Sequence, residues 1–245
     1  MVRKISAQSS HKHQTILHDP KEQQVIDETR RYFQKVYAWM FLGLILSAFT
    51  AYAVAFTPSL TTFIFGNFWI FIILILAQFG LVVGLVGFVK KISANAATIM
   101  FLAYSILTGL TFSVIFLVFT IQSIGLVFFL TSFMFAALSI YGFFTRKDLT
   151  SLGPILYIGL FGIIIAMIVN MFLGSSQLDF IISIIGVIIF TGLIMYDTQK
   201  LKKENIIGNE GTEEDKKEAI IGALRLYLDF INLFLMLLRL LGKRR

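Results

Sequence analysis

Residues 67–89 read NFWIFIILILAQFGLVVGLVGFV, a run without one charged side chain. A bilayer core is crossed by about 20 apolar residues rising 1.5 Å each. A surface helix of a water-soluble domain would need a polar face, and this run has none. Six further runs of the same character follow the same reading, at 36–56, 96–119, 122–144, 154–173, 180–197 and 219–240. Composition agrees. Apolar residues make up 57% of the chain, charged ones 14%, and mean hydropathy is +0.84, too little polar surface to cover a protein in water. The fold class expected is therefore all-α, a polytopic membrane protein with seven transmembrane helices.

The first 33 residues are polar, include Arg3, Lys4, His11, Lys12, His13, His18 and Asp19, and contain no apolar h-region. They read as a cytosolic tail, with 34–245 a single transmembrane domain whose first hydrophobic helix is the targeting signal. The three histidines fall in that tail, where their spacing more often carries nothing than a metal. Cysteine is absent, which excludes disulfides, thiolate metal sites and a cysteine nucleophile. The net charge of +7 comes from lysines and arginines that flank apolar runs. The expected partner is thus the lipid bilayer and not nucleic acid.

Loop charge sets orientation. Basic residues stand in the tail, at Lys90-Lys91, at Arg146-Lys147 and at Lys200, Lys202 and Lys203, whereas the intervening loops at 57–66, around 120 and at 174–179 have none. The alternation puts the N-terminus and the charged linker 198–218 in the cytosol. The seventh run breaks it, because it ends in Arg239, Lys243, Arg244 and Arg245. A full crossing is preferred over a re-entrant segment because 219–240 is long enough to span. Gly80 and Gly84, a small-xxx-small pair, read as helix packing.

Ionisable residues inside a membrane are functional candidates by default. The first five runs have none in their interiors, only modest polar groups such as Gln78 and Asn170. The last two carry Asp197, Arg225 and Asp229. Arg225 and Asn232 lie at i−4 and i+3 from Asp229, on one helical face. Two carboxyls in one poorly hydrated site would titrate as a unit, since desolvation and mutual repulsion each favour a neutral form. Such a pair can share a proton, recruit a hard cation such as Ca²⁺, or bind a base: Arg225, Lys90 or Lys91. Two blander readings stand beside this. Asp197 would be a solvated residue at a helix end, and Asp229 would form a structural bridge with Arg225.

Tyr196-Asp197-Thr198-Gln199 after a glycine-bearing helix, and Leu226-Tyr227-Leu228-Asp229-Phe230-Ile231-Asn232-Leu233-Phe234, resemble the signature of the transmembrane Bax-inhibitor-motif (Bax inhibitor-1-like) family over about residues 30–240. The resemblance implies seven helices with the last one central. It implies a pH-sensitive Ca²⁺ leak gated by an aspartate pair, matched here by Asp197 and Asp229, which would also meet Ca²⁺ as permeant or bound ion. Tyr196 and Asn232 are the neighbouring polar groups. A base at the cytosolic end of the second span is implied as a latch, for which Lys90 or Lys91 is the nearest match. No further cofactor is expected. Membrane-protein partners and a bacterial inner membrane, or a eukaryotic internal one, are implied as well. Two departures are visible: Arg225 one turn before Asp229, where the pattern demands no base, and Gln78, where some relatives carry an acid.

Rival functions remain open at this stage. An intramembrane aspartyl protease also uses two aspartates, one after a tyrosine, but its second needs small neighbours where this chain has Tyr227-Leu228-Asp229. A proton-coupled transporter would use intramembrane aspartates but also repeats and broken helices, which do not stand out. A non-conducting regulator of other membrane proteins is the third.

Overall fold

The computed structural model describes residues 20–245; His11, His13 and His18 lie outside them. Eight helices succeed one another among the described residues: α1 (Pro20–Ala55), α2 (Pro58–Phe65), α3 (Phe68–Phe88), α4 (Ala94–Val118), α5 (Ile121–Phe144), α6 (Leu152–Leu173), α7 (Ser176–Glu204) and α8 (Glu213–Leu241). All but α2 are long and apolar enough to cross a membrane, which makes the protein all-α and polytopic.

Helix starts follow short-range chemistry. Asn67, Ser93, Thr120, Ser175 and Thr212 each accept a backbone N–H of the first turn that follows, so the exposed donors of five helices are satisfied by the residue before them. Gly174 ends α6 in the left-handed conformation (φ 61°), which a side chain rarely adopts.

Three boundaries differ from the sequence reading. The polar segment 1–33 is already helical from Pro20, where α1 begins. The linker 198–218 shrinks to 205–212, since α7 continues to Glu204 and α8 starts at Glu213. Charged turns that protrude from a bilayer carry no hydropathy signal, yet their backbone stays helical. Within the loop 57–66, Pro58 opens the short helix α2, where its missing N–H costs nothing.

Helix α8 is the centre, as the resemblance implies. It packs on α1, α4, α5 and α7, while α3 rests mainly on α4 and α6 on α7. Leu226, Tyr227 and Leu233 are fully buried. The Tyr227 hydroxyl lies 2.6 Å from Ser47 Oγ, and Ser47 donates to the Ser105 carbonyl, tying α8, α1 and α4 together. Outward residues such as Trp69, Phe79, Ile158 and Phe172 are exposed large apolars, the surface a lipid-facing helix needs. Helices approach closely where glycine allows it. A Cβ on Gly142 of α5 would fall 2.5 Å from the Met195 carbonyl of α7. Of the Gly80/Gly84 pair, only Gly84 packs, against Met100; a Cβ at Gly80 would meet nothing within 4 Å.

The connections sort into two ends. At the linker end, the Glu213 carboxylate accepts the Ala94 N–H, and Gln199 holds the α5–α6 loop through Leu149 N–H and the Lys147 carbonyl. The extension of α1 is clasped there too. Glu28 accepts the Gly208 N–H, and Lys35 donates to Asp215 at 2.7 Å. At the far end, the chain terminus is stitched to the α4–α5 turn: Thr120 N–H to the Lys243 carbonyl, Lys243 N–H to Ser123 Oγ, and Arg245 N–H to the Val118 carbonyl. Helix α8 therefore runs the full height of the bundle and is not re-entrant.

Candidate functional site

Asp197 closes the apolar part of α7, and Asp229 faces it from α8. Only 2% of Asp197 and 5% of Asp229 is exposed. The reading of Asp197 as a solvated helix-end residue is thus corrected: α7 runs on for two more turns, and the carboxyl turns inward. The two carboxyls line the same cavity between α6, α7 and α8.

Their surroundings are unequal. Asp197 Oδ1 accepts from the Tyr157 hydroxyl of α6 at 3.3 Å and lies 3.9 Å from Arg225 Nε. Among the described residues, Asp229 Oδ2 is buried with no hydrogen-bond partner. Arg225 does not bridge to Asp229, as the structural reading supposed. Its guanidinium donates to Glu204 Oε2 at 3.0 Å and reaches Asp197 on the other side. One turn separates Arg225 from Asp229, but the arginine side chain is directed toward α7.

Arg225, Leu228, Asp229 and Asn232 line one cavity of about 480 Å³ with Tyr157 and Asp197. Asn232 donates to the carbonyl of Leu228 in its own helix. A second cavity of about 410 Å³ adjoins it at the linker end, walled by Lys90, Glu204, Glu214 and Glu218. Arg225 borders both, standing between the carboxyl chamber and a vestibule of mixed charge, where Lys90 and Lys217 accompany the three glutamates.

Several sequence candidates land elsewhere. Lys90 and Lys91 are exposed, and among the described residues neither forms an ion pair. The base on Asp197 is Arg225, because it sits one helical turn above Asp229 on the central helix. Tyr196 does not line the chamber; its ring lies against Gly153 and meets Tyr157 edge-on at 6.1 Å. Tyr157, Glu204 and Lys200 were not among the candidates. Lys200 at Asp197+3 and Glu204 at Lys200+4 were legible as a helical ladder running past the apolar run.

No cluster of three or more acidic, cysteine or imidazole groups is present among the described residues. Outside the spans, hydrogen bonds from Lys203 and then Thr150 hold the Asp148 carboxyl below the usual range. It stays charged near neutral pH and adds nothing to a response there.

A seven-span helical membrane protein with a carboxyl pair buried beside its central helix is the class these features define. Residues 29–245 match the family described as Inhibitor of apoptosis-promoting Bax1 (Bax1-I). The chain is 48% identical over 225 residues to an "Uncharacterized protein" of Borreliella burgdorferi, covering 92% of this chain and 97% of that one. It is 47% identical over 215 residues to the "Inner membrane protein YbhL" of Escherichia coli (strain K12), covering 87% and 92%. It is 42% identical over 217 residues to the "Uncharacterized protein RP147" of Rickettsia prowazekii, covering 88% and 91%. The chain belongs to the Bax inhibitor-1-like family.

Proposed function

We propose that this protein is a pH-sensitive cation leak, with Ca²⁺ as the permeant ion, in which Asp197 and Asp229 are the gate and Arg225 is the latch. The reading is non-enzymatic. The observation that carries it is the position of Arg225 between the two cavities, shared by Glu204 of the vestibule and Asp197 of the chamber. An arginine on the path of a cation is a barrier for as long as its carboxylate holds it there.

The charged and titratable groups facing the pair are Tyr157 from α6, Lys200 and Glu204 from α7, and Arg225 from α8. Asp229 forms no ion pair among the described residues, whereas a carboxylate on Asp197 has Arg225 beside it at 3.9 Å. Protonating Asp197 removes the anion that holds the latch, and acidification therefore opens the route. By the loop charges, the linker end and N-terminus face the cytosol, and the name of the Escherichia coli relative favours an inner membrane. Partners among other membrane proteins fit the wide lipid-facing surface.

The test is Ca²⁺ flux into liposomes carrying the purified protein across about pH 5–8. Wild type is expected to leak faster at the acid end. Asp197→Asn and Arg225→Ser are expected to leak at every pH in that range, and Asp229→Asn to flatten the profile. A flux that ignores both pH and these substitutions would remove the aspartate gate. No flux under any condition would favour a non-conducting regulator.

A further inference from the structure

The chamber around Asp197 and Asp229 does not continue to the far end of the bundle. A third cavity, about 420 Å³, occupies that end of the same α6–α7–α8 groove; Asn170, Asp179, Ile182, Arg239 and Arg244 line it. Met167 is a wall of both cavities. Between them Met236 of α8 lies on Gly186 of α7. A Cβ on that glycine would be 2.6 Å from the methionine sulfur and 3.7 Å from Ile163 Cδ1. Met236 is 1% and Ile163 4% exposed. The interval is apolar and closed.

Charge lies behind this closure. Asp179 takes Arg239 at 3.1 Å and Arg244 at 3.9 Å, so two guanidiniums share one carboxylate at the far mouth. Arg244 is fixed there by the backbone stitching of Lys243 and Arg245 to the α4–α5 turn. A cation leaving the chamber would meet a dry methionine constriction and then a surplus of positive charge.

We propose that Met236 on Gly186, with Ile163 and Met167 beside it and the Asp179–Arg239–Arg244 cluster behind, is a second barrier that limits permeation independently of the aspartate gate. The proposal rests on the leak reading given above. It assigns Met236 to dewetting of the route and Arg239 and Arg244 to its ion selectivity, two devices by which pores discriminate.

The chain has no cysteine, so single cysteines report cleanly on water access. Asn170→Cys, half-buried in the far cavity, is expected to react with a membrane-impermeant thiosulfonate added at the far face. Leu228→Cys, in the chamber, is expected to be protected from that face. Adding Met236→Ala to Leu228→Cys should end the protection, with elution of a monodisperse species confirming the fold. In the flux assay, Arg239→Gln with Arg244→Gln should raise Ca²⁺ entry on the order of tenfold, whereas Arg239→Lys with Arg244→Lys should match wild type. Equal labelling of Asn170→Cys and Leu228→Cys in the parent overturns the second barrier. So does protection that survives Met236→Ala, or a glutamine pair that leaks no faster than the lysine pair when wild type conducts. Absence of flux in every variant counts against the leak reading, while the labelling result decides the barrier by itself.

Discussion

Arg225 is a residue with two owners. It donates to Glu204 at 3.0 Å and stands 3.9 Å from Asp197. Glu204 is about half exposed, so water screens its hold, and exposed pairs are worth roughly 0.2–1 kcal/mol. Removing that hold should let Arg225 settle on Asp197. Glu204→Gln is accordingly expected to lower acid-side Ca²⁺ flux by up to roughly fivefold, opposite in sign to Arg225→Ser; a rise would mean that Glu204 helps to close the route. The aspartates were legible in the sequence because charges in apolar runs stand out. The partners were not. Whether Arg225 turns to its own i+4 neighbour or across to α7 depends on where α7 lies, and no spacing within one helix contains that.

At the scale of elements, the interiors of all seven spans were readable from hydropathy alone, as were the ends of α3 to α6 to within two residues, while the polar extensions of α1, α7 and α8 were not. Transmembrane helices gain little from burying apolar surface, since lipid is as apolar as leucine, and their association depends on close packing. Gly142 supplies such a contact for α5 and α7. A methyl group there meets backbone, which has no rotamer to change, and overpacking of this sort costs about 1–3 kcal/mol. Gly142→Ala should therefore lower the melting temperature in detergent by several degrees, whereas Gly80→Ala, which meets nothing, should leave it unchanged. The sequence held both glycines but not the difference between them, because a short side chain says that an approach is allowed and not that one occurs.

For the molecule as a whole, the basic C-terminus was the one feature at odds with the charge rule. At the far end Arg239 and Arg244 pair with Asp179. Orientation under the charge rule is usually dominated by the first helix, so a basic stretch after the last one carries less weight. Tags placed at the two termini should be accessible from opposite faces of intact membrane vesicles. Accessibility from the same face would contradict seven crossings.

Helix α8 is held at both extremities: Glu213 and Asp215 fasten its start to α4 and to the α1 extension, and Lys243 and Arg245 fasten its finish to the α4–α5 turn. A rod journalled in two bearings cannot slide along its own axis. The freedoms left to it are to spin or to bow. Either motion moves Asp229 and Met236 together, because both lie on the one unbroken helix between its two fastenings.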